Sequence, residues 1–258
     1  MITRKSTRPA LLLTTALACV ALGGAGCATP GPLHLYSAAS TQPAIITDTT
    51  TAPSSAAPVD IPTFLAAGET LTGLAYDPFT DHLFLRLSPG NLIRVVDRPA
   101  RAIKRTYIVA ALPVTAGGDL AVRPRDGRIF FAHPSLPALI ETDRFGNVIR
   151  TLALATLTAP PAGIAYDSAR DQLLILSGGD PSYVTTHALD GTLIARIALD
   201  RTVTLTGLAY DPDARELYAP LASPTALGVF NLEGRLLRTV PLSATFFDLG
   251  PRSLLRLF

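Results

Sequence analysis

Glu69, Asp119, Arg201 and Asp248 are the residues whose types and positions best suit binding chemistry in this sequence. Carboxylates that face one cavity can bind a cation, because Ca²⁺ takes clustered oxygen ligands. Ca²⁺ requires about six to eight oxygens, however, and only two or three carboxylates are available here. The alternative interpretation is that each aspartate caps a local turn or pairs with Arg201. We therefore treat the four residues as a candidate binding site without a resident metal ion.

The sequence contains no recognisable motif for catalysis. There is no Gly-x-Ser-x-Gly segment that would expose a nucleophilic serine. The four histidines do not cluster, and a zinc site needs three or four converging ligands. The formal net charge of +2 excludes a nucleic-acid-binding function driven by bulk basicity. We expect no catalytic residue, no cofactor and no nucleic-acid partner.

The elements that position these residues must be short. The chain has 258 residues, 48% apolar and 16% charged, which is enough to bury a substantial core. It also has 22 Pro and 19 Gly, which disfavour long helices. We expect many short strands joined by turns.

Five similar segments recur along the chain. Their second residues, which are apolar, are spaced 46, 44, 44 and 41 apart. The segments are Gly73–Pro78, Asp119–Pro124, Gly163–Ser168, Gly207–Pro212 and a degenerate Asp248–Pro251. A period near 44 is typical of a four-stranded propeller blade. Asp119 and Asp248 thus stand at equivalent positions, where the other three segments have Gly.

Each repeat contains four short apolar runs separated by turn signals. In the first repeat the predicted strands are 71–76, 82–87, 92–96 and 102–109. Asp-Pro after the first strand predicts a turn there, because the Asp side chain caps such a turn and Pro presets its φ. Asp190-Gly191 and Glu233-Gly234 mark the hairpin between the third and fourth strands. Tyr recurs at one position of the first strand, where a packing role is more expected than a binding role.

The two ends of the domain predict how the ring closes. Residues 43–48 resemble the third strand 137–143, so residues 33–60 supply the later strands of a blade that lacks its first strand. A first strand lies near residues 247–250. We expect an all-β fold, a propeller of five four-stranded blades, whose N- and C-terminal strands share the closing blade. Residues 33–36 and 254–258 both suit the second position of that blade, which only one can occupy.

The Gly-Leu-Ala-Tyr-Asp-Pro repeats resemble those of NHL and YWTD β-propellers over about residues 65–250. The resemblance implies architecture, because those families share neither substrate nor activity. In the lactonase-like propellers a metal is held by Glu, Asn and Asp in the channel, whereas Asn91, Asn147 and Asn231 are peripheral here. The chain has no Trp and so lacks the Trp docking motifs of quinoprotein propellers.

The first 26 residues have the layout of a secretory signal peptide. A basic start precedes the apolar run Ala10–Leu22, and small residues follow before Cys27. Ala25, Gly26 and Cys27 resemble the lipobox of bacterial lipoproteins, which implies acylation of Cys27 with diacylglycerol and palmitate; Gly24 stands where that motif usually has Leu. Cleavage after residues 16–18 and an uncleaved anchor are the alternatives. Without residues 1–26, 19 basic residues remain against 20 acidic ones.

These observations predict a signal peptide in residues 1–26, a short tether in 27–32 and one propeller domain in 33–258. We expect a monomeric outer-membrane lipoprotein of the bacterial cell envelope, held by its lipid and binding a protein or polymer partner. The alternative is a periplasmic, lactonase-like hydrolase with a metal-assisted site at the channel mouth. Convergence of Glu69, Asp119 and Asp248 would favour that alternative.

Overall fold

The computed structural model describes residues 33–39, 44–51, 57–88, 91–114, 117–178, 181–223, 225–242 and 244–250. The regular secondary structure of these residues is entirely β: twenty strands form five antiparallel sheets of four strands each. The predicted leader, Cys27 and the tether lie outside the described residues. Within the described residues no helix could span a membrane.

We call the sheets blades A to E. Blade A is composite and runs from the inside outward as β20 (Phe246–Gly250), β1 (His34–Ala38), β2 (Ile45–Thr50) and β3 (Val59–Pro62). Blade B contains β4 (Thr70–Asp77), β5 (His82–Ser88), β6 (Leu92–Asp97) and β7 (Ala102–Ile108). Blade C contains β8 (Leu120–Arg123), β9 (Arg128–Ala132), β10 (Ala138–Thr142) and β11 (Val148–Ala153).

Blades D and E repeat this order. Blade D contains β12 (Gly163–Asp167), β13 (Gln172–Ser177), β14 (Tyr183–Ala188) and β15 (Leu193–Ala198). Blade E contains β16 (Ala209–Asp211), β17 (Glu216–Pro220), β18 (Leu227–Phe230) and β19 (Leu236–Val240). The first strands contact one another in sequence, β4 with β8, β8 with β12, β12 with β16, β16 with β20 and β20 with β4. The ring of five blades is therefore closed, as the repeat period predicts.

The closing blade settles which terminal strand is second. His34 pairs with Thr50 of β2 on one side and with Gly250 of β20 on the other. Strand β1 thus occupies the second position, while residues 254–258 lie outside the described residues. Pairing β20 with β1 joins the two ends of the domain in one sheet. Neither strand therefore has an unpaired edge where the two ends meet.

The core lies between blades because the first three strands are buried on both faces. Along β4, Leu74 and Tyr76 pack on blade A, whereas Ala75 packs on blade C. Successive side chains of a strand point to opposite faces, so a nearly continuous apolar run fills both interfaces. The fourth strands are largely exposed. In β7, for example, most side chains are exposed and none is fully buried.

The Asp-Pro turns are built as predicted. The buried carboxylate of Asp77 accepts a hydrogen bond from the backbone N–H of Phe79 at 3.0 Å, and Asp211 accepts one from Asp213 at 3.0 Å. These turns end in a left-handed residue, at which φ is between 56° and 70° in four blades: Asp81, Gly127, Asp171 and Arg215.

Candidate functional site

A narrow collar surrounds the channel where the first strands begin. It is formed by the four equivalent positions Gly73, Asp119, Gly163 and Gly207. Asp248, which the sequence aligns with them, bonds to the N–H of Tyr76, two residues farther along its strand than the Asp119 donor Ile164 is along β12. A Cβ on Gly73 would lie 2.5 Å from the carbonyl oxygen of Gly118, and one on Gly163 would lie 2.6 Å from the carbonyl carbon of Gly207. Such distances are too short for non-bonded atoms, so the collar admits side chains at only some of its positions.

Asp119 links three blades across this collar. Its buried carboxylate accepts hydrogen bonds from the backbone N–H groups of Ile164, at 2.8 Å, and Leu208, at 3.3 Å. These donors belong to the first strand of blade D and to the segment leading into that of blade E. The inner edge of a first strand has no further strand to pair with, and a buried unpaired N–H is costly. The carboxylate supplies the missing acceptor.

Asp248 has the same role toward blade B. One carboxylate oxygen accepts a hydrogen bond from the backbone N–H of Tyr76 at 2.7 Å, and the other accepts one from Leu249 at 2.8 Å. Both aspartates therefore use backbone donors, and no Arg, Lys or His of the described residues forms an ion pair with Asp248.

Burial in the channel changes the protonation of both carboxyls. Desolvation raises the pKa of Asp248 to about 7. It raises the pKa of Asp119 well above its usual range, and the charge of nearby Asp248 adds to this effect. The Arg86 guanidinium is fully buried and donates to the carbonyl oxygen of Ala132 at 3.0 Å. Burial lowers the pKa of Arg86 to about 10, partly offset by the charge of Asp119.

The other two predicted site residues lie elsewhere. The Glu69 carboxylate pairs with both terminal nitrogens of Arg94, at 2.8 and 3.1 Å, and this hydrogen bonding lowers the pKa of Glu69. Arg201 is exposed and donates to the carbonyl oxygen of Asp200 at 3.2 Å. The structure thus brings Asp119 and Asp248 together, and neither Glu69 nor Arg201 contacts them. The described residues contain no group of three or more His, Cys, Asp or Glu arranged to hold a metal.

A cavity of about 140 Å³ occupies the channel on the far side of the collar. Its inner end is lined by Ile164, near the start of β12, and by Asp248 and Leu249, within β20. Its rim is formed by the turns after the first strands, which contribute Pro78, Pro124, Ser168, Pro212 and Asp213. Of the four predicted site residues, Asp248 is in this lining. The cavity therefore opens on the turn side of the ring. The sequence predicts the channel mouth at the opposite end, among the loops that precede the first strands.

Three tyrosines of the repeat, Tyr76, Tyr166 and Tyr210, also line the cavity. They contribute to packing as well: the ring of Tyr76 lies 4.6 Å from that of Tyr36, centroid to centroid. Its hydroxyl donates to Asp81 at 2.9 Å. The sequence predicts a packing role for these tyrosines. Their recurrence at one repeat position places them in the first strands of three different blades around the channel.

The two faces of the ring differ in charge. Because strands alternate in direction, loops before first strands and between second and third strands share one face. We call it the uncharged face because its described loops carry few charged side chains. In its described loops the Asp, Glu, Lys and Arg residues are the paired Glu69, the buried Asp119, and Asp200 and Arg201. The opposite face, which we call the turn face, carries the other turns.

Ion pairs cross the turn face. Arg98 contacts Asp81 at 2.5 Å, and Arg125 contacts Asp171 at 2.9 Å. The turn face also exposes Phe79 and Phe145, by 56% and 67%. The uncharged face exposes large apolar side chains from separate loops, with few charges between them. Their exposed fractions are 37% for Phe64, 57% for Val114, 51% for Leu136 and 46% for Leu205.

Comparison with known proteins supports the fold. No protein-family model matches the chain, and no curated protein matches it. A chain of the nidogen/laminin complex superposes with a TM-score of 0.59 at 14% identity, covering 86% of this chain and 99% of the other. Glutaminyl cyclase of Myxococcus xanthus superposes with a TM-score of 0.52 at 17% identity, covering 67% and 71%. At these identities the likeness extends to the β-propeller fold alone.

Proposed function

We propose that this chain is an exported, lipid-anchored β-propeller that binds a protein or polymer partner through its uncharged face. The observation that carries the proposal is the contrast between the two faces. The uncharged face has exposed apolar side chains in four loops and few charges, whereas ion pairs cross the turn face. Interaction surfaces are likewise depleted of charged residues at their centre. A rigid ring also presents loops from all its blades at fixed positions.

The first described residues lie on the turn face. Leu33 lines the cavity that opens on the turn face, and His34 pairs with Gly250 at that end of β20. Cys27 precedes Leu33 by six residues, which span at most about 20 Å when extended. A lipid on Cys27 would therefore be joined to the propeller through the end of β1 that lies on the turn face.

The anchor is tested on the N-terminus of the mature protein. Cells expressing the full chain are labelled with a palmitate analogue, and the purified protein is examined by mass spectrometry. We expect an acylated Cys27 as the first residue and loss of label in Cys27→Ser. A mature chain that starts elsewhere, or an unmodified Cys27, contradicts the anchor.

The docking face is tested by site-specific photo-crosslinking in intact envelopes. A photoreactive residue replaces Val114 or Leu205 on the uncharged face, and Arg235 or Ala214 on the turn face as matched controls. We expect one discrete adduct from the first pair alone, lost when Leu136→Asp is added. Equal labelling from both faces, or none from Val114 and Leu205, contradicts the proposal.

A further inference from the structure

The cavity on the turn face carries acidic residues and no basic ones. Its charged lining residues in the described part of the chain are Asp211, Asp213 and Asp248. Asp211 is committed to its turn, where it accepts hydrogen bonds from Asp213 and Ala214. Asp248 lies at the inner end, so that a group entering the cavity meets its carboxylate last.

The Asp248 carboxylate retains binding capacity. Each of its oxygens accepts one backbone N–H bond, from Tyr76 or from Leu249, and a carboxylate has about four acceptor sites in all. Both donors line the cavity, so the carboxylate lies at its wall. Burial raises the pKa of Asp248 to about 7, so the group becomes charged above that pH, and no Arg, Lys or His of the described residues forms an ion pair with it.

We infer that this cavity binds a primary ammonium group, which pairs with the Asp248 carboxylate between the tyrosine-lined walls. An ammonium group has three donors and no acceptor, which matches a carboxylate with open acceptor sites. The acidic residues at the rim would attract the same charge from solution.

The size of the cavity limits the ligand. A volume of about 140 Å³ is close to that of an engineered cavity that holds benzene, about 150 Å³. A short alkylamine or the end of a lysine side chain fits this space. The two sources of ammonium are a free small amine and a lysine on another protein.

The binding experiment uses the purified full-length protein at pH 8, titrated calorimetrically with n-butylamine, with 1-butanol as the neutral control. A second arm uses the peptide acetyl-Gly-Lys-Gly-amide and its norleucine counterpart. We expect the amine-bearing probes to bind and both neutral probes to fail. Binding of butylamine without the peptide assigns the site to free amines; binding of the peptide assigns it to lysine side chains. Equal binding of charged and neutral probes, or no binding of either amine, overturns the inference.

Two variants place the binding in this cavity. Asp248→Asn removes the charge, and we expect affinity for the amine to fall at least tenfold. Ser168→Arg adds a cation at the exposed rim without touching the collar, and we expect a similar loss even if the first variant folds poorly. Ala100→Arg, in the outer turn of blade B, is the matched control and should bind as the wild type does. Unchanged affinity in Ser168→Arg contradicts the site. No partner takes part, so this result is independent of the proposed docking on the uncharged face.

Discussion

The Asp119 carboxylate accepts a hydrogen bond from the backbone N–H of Ile164 at 2.8 Å, across the interface between blades C and D. The same oxygen accepts from Leu208 at 3.3 Å. One side chain therefore satisfies donors on two other blades at the axis of the ring. Asp119 thus stabilises the contact of blade C with blades D and E, and its carboxylate is already occupied by backbone donors.

Asp119→Ala should destabilise the protein by about 2–4 kcal/mol, because it leaves buried N–H groups without acceptors, at about 1–3 kcal/mol each. Urea denaturation followed by circular dichroism measures the change. Asp119→Asn retains one acceptor oxygen, so its free energy of unfolding should decrease clearly less than that of Asp119→Ala. Equal stability of Asp119→Ala and the wild type would show that water replaces the carboxylate.

The pH dependence of stability should carry the signature of Asp248. Its pKa is about 7 in the folded protein and 3.8 as an ordinary carboxyl, so between these values the folded state binds more protons than the unfolded state. The free energy of unfolding therefore falls as pH rises from about 4 to 7 and levels off above. One pKa unit corresponds to about 1.4 kcal/mol, and partial exposure to the cavity reduces the total, so we expect a decrease of about 1–3 kcal/mol.

Asp248→Asn is the comparison for that profile. Denaturation midpoints measured at several pH values should show a flatter curve than the wild type in the same window, because Asn does not titrate. A variant whose slope matches that of the wild type would assign the effect to another group.

Gly163→Ala should destabilise the ring by about 2 kcal/mol or more. The added Cβ would lie 2.6 and 2.7 Å from backbone atoms of Gly207 and Leu208, and backbone cannot rotate away as a side chain can. The matched variant Gly207→Ala meets the ring edge of Phe247 at 3.3 Å and should cost less. Thermal unfolding distinguishes the two, and the reverse order would contradict the collar geometry.

Arg215→Gly should stabilise the protein by about 0.5–1 kcal/mol. Arg215 is exposed and has φ of 58°, a conformation that costs an L-residue about 1–2 kcal/mol. Glycine removes that strain at a smaller cost in chain entropy, and Gly127 already occupies the same turn position. Arg235→Gly, a nearby exposed control without positive φ, should not stabilise. Melting temperatures measure both.

The repeat made the fold predictable from the sequence. The recurring Asp-Pro turns, the hairpin glycines and the apolar runs each have a local physical cause, so strand order and blade number followed from them. Residues 43–48 and 247–250 even predicted the composite blade. The candidate site was less predictable, because Glu69 and Arg201 were grouped with the aspartates by their place in equivalent loops, whereas side-chain direction separated them.

The sequence by itself determined the period, the five four-stranded units and the presence of Gly at three and Asp at two of the aligned positions, because these depend on local turn chemistry and strand patterning. Only the tertiary structure decided that Asp248 lies close enough to Asp119 for its charge to raise the pKa of Asp119, whereas Glu69 pairs with Arg94. It also decided that the cavity opens on the turn face. The reason is that closing the ring brings residues about 44 to 172 positions apart within hydrogen-bond distance, as for Tyr76 and Asp248. Local patterns along a strand do not specify such distances.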